Sequence, residues 1–201
     1  MQILHPFAGP VQQYDQQLAN ANLARPDQCP QCKAKQSLTA HGFYERTLVD
    51  VDSDFDGPIR IRRYLCEFCQ RTVSLLPEFA LPYLRFSIPM IALFEIARLV
   101  HNKTLDQALP EEAPYQRGQH WLRRFRRHAE RLCAALSAMT APVKAENFEL
   151  RALGMLNAIE RGWIGSHRFL FTQLRDHLLG WPKSLAPDGQ RAAFGSGGDS
   201  G

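Results

Sequence analysis

Cys29-Pro30-Gln31-Cys32 and Cys66-Glu67-Phe68-Cys69 are two pairs of the form CxxC in one chain. One such turn aims two thiolates at a single point. Two of them supply four thiolates, the closed tetrahedral shell of a structural zinc ion. A lone CxxC reads equally as a redox motif of the thioredoxin type. Here the pairs are matched and neither sits in a βαβ pattern, which favours metal over redox chemistry. The interval between them is longer than the roughly 15–20 residues usual for paired knuckles. Cys29, Cys32, Cys66 and Cys69 are the expected ligands of one structural Zn2+.

The sequence between the pairs reads as a β-hairpin. Leu38 to Val49 has strand character, interrupted at His41-Gly42. Ile59-Arg60-Ile61-Arg62-Arg63-Tyr64-Leu65 alternates apolar and basic, the period of a half-exposed strand. Arg71 to Leu76 is a third strand. Together these define a zinc ribbon over residues 27–80. So small a sheet has little core, and bound metal would supply the missing stability. Residues 1–26 precede it as a Gln/Asn-rich arm, in which Val11, Tyr14, Leu18 and Ala21 have helical spacing.

Leu76 to Pro82 reads as a linker, after which the periodicity becomes helical. Ser87 is placed to cap a helix with Pro89 in its first turn. Thr104 to Gln107 has capping-box spacing, and Pro110 ends that short helix. A long helix is expected from about Tyr115 to Met139. With about 100° per residue and Trp121 at zero, Leu122, Phe125, Ala129, Leu132, Cys133 and Leu136 fall within about 120° of arc. Arg117, Arg123, Arg124, Arg126, Arg127 and Arg131 fall outside it. A solvated face normally mixes both signs of charge, yet Glu130 alone interrupts these six arginines.

The net charge of +4 is unevenly placed. Residues 1–80 sum to −1, residues 81–140 to +4 and residues 141–201 to +1. A localised cationic excess points to a polyanionic partner. Two further helices are expected, Glu146 to Glu160 and Ser166 to Leu179, as a C-terminal segment over 141–181. They either complete the helical core or form a homodimer surface. Residues 182–201 have the Gly, Ser, Ala and Asp composition of a disordered tail. No apolar run reaches the roughly 18 residues of a membrane helix, and no signal peptide is evident. An odd fifth thiol, Cys133, fits an apolar core position in a reducing, cytoplasmic setting.

Three patterns resemble sites and do not qualify. Asp52-Ser53-Asp54-Phe55-Asp56-Gly57 opens like a calcium loop, but the twelfth position is Arg63, where a bidentate Glu is required. Gly198-Asp199-Ser200-Gly201 resembles a serine-protease nucleophile segment without the flanking sequence to build its oxyanion hole. The seven histidines form no ligand pair of the HExxH kind. His120 and His128 border the basic face.

The run Cys29-Pro-x-Cys32, His41-Gly-Phe-Tyr-x-Arg46, and Ile59-Arg-Ile-Arg-Arg-Tyr-x-Cys66-x-x-Cys69-x-Arg71-Thr72 resembles the N-terminal zinc ribbons of bacterial insertion-sequence transposases. It also resembles small zinc-ribbon proteins related to them. The three helices that follow, with Trp121-Leu-Arg-Arg-Phe125, are similar to the helix-turn-helix portion of those enzymes. The resemblance covers about residues 29–135 and implies DNA binding at mobile elements. Such transposases continue into an RNase H-like domain, for which the remaining 60 or so residues are too few. Strand transfer is therefore not carried over.

The expected architecture is α+β: a small four-cysteine zinc ribbon, then a helix-turn-helix-like helical domain over 81–140. The expected function is non-enzymatic binding of duplex DNA, with Arg117, Arg123, Arg124, Arg127 and Arg131 on the long helix and Arg60 and Arg62 on the ribbon strand. The alternatives are a protein-interaction or dimerisation module, and a truncated or split transposase.

Overall fold

The computed structural model describes residues 1–7, 9, 11–14, 25–51, 56–111 and 113–180. It is α+β, a four-stranded sheet carrying the four cysteines followed by helices. The chain divides into two compact units, Met1–Pro114 and Tyr115–Gly201.

In the first unit the strands are β1 (Gln2–His5), β2 (Leu38–Val49), β3 (Asp56–Cys66) and β4 (Thr72–Pro77), in spatial order β1-β4-β3-β2. The β2–β3 and β3–β4 pairs are antiparallel, as the hairpin pattern predicts. β1 is an addition: it runs parallel to β4, with Ile3 opposite Leu75. The N-terminal residues are thus part of the sheet. Phe7 and Tyr14 extend that role, meeting Phe79 edge-on with ring centroids at 5.8 and 5.5 Å and each other at 5.3 Å. A single 3-10 turn spans Val11–Gln13, and the rest of the helix expected there lies outside the described residues.

The alternation along β3 produces its two faces. Ile59 and Ile61 are buried on one side. Arg60 and Arg62 lie on the other, together with Tyr64 and Cys66 by the two-residue period. Tyr64, Cys66, Leu38, Val73 and Leu75 pack into a core around Cys29. The interruption expected at His41-Gly42 is a β-bulge: His41 and Gly42 together oppose Arg63, between the pairs Ala40–Tyr64 and Phe43–Arg62. Gly42 has φ +76°, the left-handed conformation that glycine accepts without strain.

The stretch read as a linker is interior. Leu76, Phe79, Ala80 and Leu81 are buried, and the Glu78 carboxylate accepts from Phe7 N at 3.3 Å. Residues 79–88 fold back on themselves, with Ala80 bridged to Ser87 and Val49 bridged to Phe86. Ser87 then caps α1 (Ile88–Leu99), accepting from Met90 N at 3.2 Å and donating to Asp50 Oδ1 at 2.5 Å. Thr104 and Gln107 form the predicted capping box of α2 (Leu105–Ala108).

The second unit holds α3 (Tyr115–Leu136), α4 (Phe148–Ala158) and α5 (Gly162–Gln173). Every residue of the predicted apolar arc of α3 is buried, and α4 packs on α3. Cys133 is a core residue, as expected. Asn147 caps α4 by accepting from Leu150 N at 2.8 Å. Trp163 of α5 stacks on Phe125 at 6.0 Å.

α5 starts about one turn, and ends more than one and a half turns, before the predicted helix. Arg161 adopts φ +61° and turns the chain directly into Gly162. Gly165 is a point of close approach, since a Cβ there would lie 2.7 Å from Glu160 O. Arg175, at φ +53°, terminates the helix region. Phe171 is buried, whereas Leu174, just past the helix, is exposed. No helix among the described residues is long and apolar enough to cross a membrane.

Candidate metal centre and basic surfaces

The two CxxC turns are built alike. Lys33 N donates to Cys29 O and Gln70 N donates to Cys66 O, each at 2.9 Å. Cys29 N reaches Ala34 O and Cys66 N reaches Arg71 O, again at 2.9 Å. Lys33 and Gln70 hold φ of 64° and 56°, so each chain reverses just after its second cysteine. The reversal turns both thiols of a pair to the same side. The result is one cluster from two distant segments: the four Sγ atoms all lie within 4.8 Å of one another. Cys29 and Cys69 are 3.8 Å apart, and Cys32 and Cys66 are 3.6 Å apart. These separations far exceed a disulfide bond of about 2.05 Å, and all four cysteines are free thiols.

Electrostatics at the cluster are uneven. The Ser37 hydroxyl, 3.3 Å from Cys66 Sγ, and then the Cys69 backbone N–H hold the Cys66 thiol down at about 6. Burial pushes the Cys69 thiol up to about 12. Cys32 is also raised, with the Ala34 backbone N–H opposing burial and its sulfur neighbours. Ionisation is favoured at Cys66 and resisted at Cys69 and Cys32. A cation at the centre of four thiolates removes that resistance. The arrangement can therefore hold one metal ion.

The predicted DNA-contact arginines do not share one fate. Arg117, Arg123 and Arg127 are exposed on α3, and the Arg123 guanidinium lies 3.4 Å from His120 Nδ1. Among the described residues, Arg117 and Arg127 have no ion-pair partner. Arg124 does not point to solvent. It is half-buried, donates from Nε to Leu179 O at 3.1 Å and from Nη2 to Gly180 O, and burial pulls it down to about 10. Arg131 is tied to Asp176 at 3.1 Å. Both hold the segment after α5 against α3, a contact invisible to a helical wheel. Arg126 lies 3.9 Å from Glu149.

On the ribbon, the Arg62 and Arg60 guanidiniums lie 4.6 and 5.4 Å from the Phe43 ring centroid. The bulge sets Phe43 directly opposite Arg62. Of the helix-turn-helix expectation, α1 and α2 belong to the first unit and α3 to the second. Asp52 to Asp54 and Gly198 to Gly201 lie outside the described residues, as does the tail from 182 onward.

A polar cluster inside the second unit was missed. His128, His167, Asp176 and His177 are buried, although His128 had been placed at the border of the basic face. His128 Nε2 is 3.8 Å from Asp176 Oδ2, and His177 Nε2 is 3.4 Å from Arg124 Nη2. At 340° on the α3 wheel, His128 adjoins the apolar arc, which was the available signal.

A family described as "Domain of unknown function (DUF6431)" matches residues 29–117, a span that holds both cysteine pairs and ends in the first turn of α3. No curated protein and no solved structure matches the chain.

Proposed function

We propose that this chain is a zinc-containing DNA-binding protein, similar to the recognition end of insertion-sequence transposases. The observation that carries the DNA reading is the exposure of Arg117, Arg123 and Arg127 on α3, outside its packed apolar face. A rigid helix with guanidiniums on its outer side suits the phosphates and base edges of a duplex groove. Arg60 and Arg62 provide a second cationic surface on the ribbon.

Zinc is the usual occupant of a closed four-thiolate structural site, and the sulfur geometry suits it. Zinc–sulfur bonds of about 2.3 Å in a tetrahedron give sulfur–sulfur edges of about 3.8 Å. The Cys29–Cys69 and Cys32–Cys66 separations of 3.8 and 3.6 Å fit that edge. When bound, zinc supplies a crosslink between the two turns and no chemistry. The cysteines position β2, β3 and β4 around Tyr64, and no catalytic step is assigned to the chain.

The test is equilibrium binding to random-sequence duplex DNA over a range of salt. Three phosphate contacts predict a slope of log affinity against log salt of about −2.7. Affinity that does not change with salt would exclude the reading and favour an apolar protein-interaction module.

A further inference from the structure

A cleft of about 500 Å³ opens in the first unit, with Tyr44, Arg46 and Thr47 from β2 on one wall and Tyr83, Leu84 and Arg85 from the 79–88 turn on the other. Its volume is in the range of small-molecule sites. It is separate from the cysteine cluster and contains no residue of α3.

The turn that forms its second wall is held in an unusual state. Tyr83 has φ +62° and is 61% exposed. A bulky residue in left-handed backbone is strained, and such strain persists only where surrounding contacts impose it. Here β2 imposes it. Arg46 donates from Nη2 to the carbonyls of both Leu81 and Leu84, and Val49 N donates to Arg85 O at 2.7 Å. The strand clamps the turn, and the turn presents a phenol ring that folding itself leaves in solvent.

The lining defines the ligand. It offers two guanidiniums, two phenols, the Thr47 hydroxyl, the Gln2 amide and one leucine, and none of its residues is Asp or Glu. Such a set repels cations and metals and attracts an anion. The two aromatic rings add a preference for a flat ring, which a simple sugar phosphate lacks. At the rim the Arg85 guanidinium lies 5.7 Å from the Phe86 ring centroid, a contact that orients it.

We propose that this cleft binds a nucleotide, its base against Tyr83 and its phosphate on Arg85, with Arg46 adding positive charge from beneath. Base stacking on an exposed aromatic beside arginine is the usual means of holding an unpaired nucleotide. The same chemistry is offered by a free mononucleotide and by an unpaired nucleotide within a DNA strand. The proposal goes beyond duplex binding by α3 and does not depend on it.

The experiment is calorimetric titration of the full chain, purified without chelator, with dAMP, with a five-residue deoxyadenosine oligonucleotide and with inorganic phosphate. Tyr83→Gly removes the ring at a position whose backbone suits glycine, so the fold is kept. Arg85→Gln removes the charge. Expected is binding of dAMP or of the oligonucleotide, weakened roughly tenfold or more in Tyr83→Gly and also weakened in Arg85→Gln. Binding of dAMP identifies a free-nucleotide site, and binding of the oligonucleotide alone identifies a strand site. The proposal is overturned if neither nucleotide binds, if phosphate alone binds as tightly, or if the Tyr83 and Arg85 variants bind like the parent.

Discussion

Arg131 Nε lies 3.1 Å from Asp176 Oδ2, joining the C-terminal half of α3 to the segment that follows α5. Asp176 is buried and its other oxygen accepts from His177 N at 2.9 Å. Its loss leaves a buried donor unpaired as well as a cation. Asp176→Ala should therefore cost about 2–4 kcal/mol in urea unfolding. Arg131→Ala should cost less, because that side chain is half exposed and its charge is partly met by water.

Acid should weaken the second unit. Burial lowers His167 to about 3, lowers His177 well below its ordinary value of 6.5, and lowers His128 against the opposing pull of Asp176. A histidine held neutral in the fold takes a proton only in the unfolded chain. Stability is therefore complete above about pH 6.5 and falls as pH drops below it. For His167 the fall continues to about pH 3. Each such group contributes a slope of up to about 1.4 kcal/mol per pH unit. Thermal unfolding between pH 7.5 and 4.5 should show the loss, and His167→Gln should flatten the curve. A melting temperature constant across that range would contradict it.

Removing a metal ligand should open the first unit alone. Cys66→Ser should lose bound metal and unfold the sheet, whereas Cys133→Ser should retain both. Elemental analysis of protein prepared without chelator should give one zinc per chain. Iron, or no metal, would reject the zinc assignment. Chelator should release the ion and reduce the strand signal in far-UV circular dichroism, because ligand binding here is also folding free energy.

The arginines of α3 should separate into two groups. Arg123→Ala with Arg127→Ala should leave stability nearly unchanged and lower the salt slope of duplex binding by about two units. Arg124→Ala should instead destabilise the second unit, since it deprives the carbonyls of Leu179 and Gly180 of their donor. Trp121→Ala should cost about 3–5 kcal/mol as a fully buried aromatic. An Arg123/Arg127 variant that binds with the parental salt slope would remove α3 from the interface.

The four-cysteine cluster, the two strand faces of β3 and the buried arc of α3 were legible because each follows from a short local period. Arg124 and His128 were misplaced because they flank that arc at 300° and 340°, where the neighbour across decides. The neighbour is the 176–180 segment, whose course depends on left-handed turns at Arg175 and Gly180. Gly180 also sits where a Cβ would be 3.0 Å from His128 Nδ1, so packing determines its identity. β1 was missed for a related reason. Four residues, Gln2 to His5, carry too little pattern to announce a strand whose partner is some seventy positions away. The segment from Leu76 to Pro82 looked like a linker because its two prolines suggested a break, although four of its other five residues are apolar.

The parallel β1–β4 ladder has a consequence for the order in which the chain acquires structure. Gln2 pairs with Ser74, so closing this contact fixes a loop of about seventy residues. The knuckles and the β2–β3–β4 meander join segments much nearer in sequence, and chain entropy favours closing them first. On a ribosome, the first strand to emerge must wait for the last strand of its sheet before it can pair. Until then the Thr72–Pro77 edge is uncovered, presenting unpaired backbone donors and acceptors to any other extended chain. Loading of the cysteine cluster during synthesis would bring that edge into place sooner and shorten the interval of exposure.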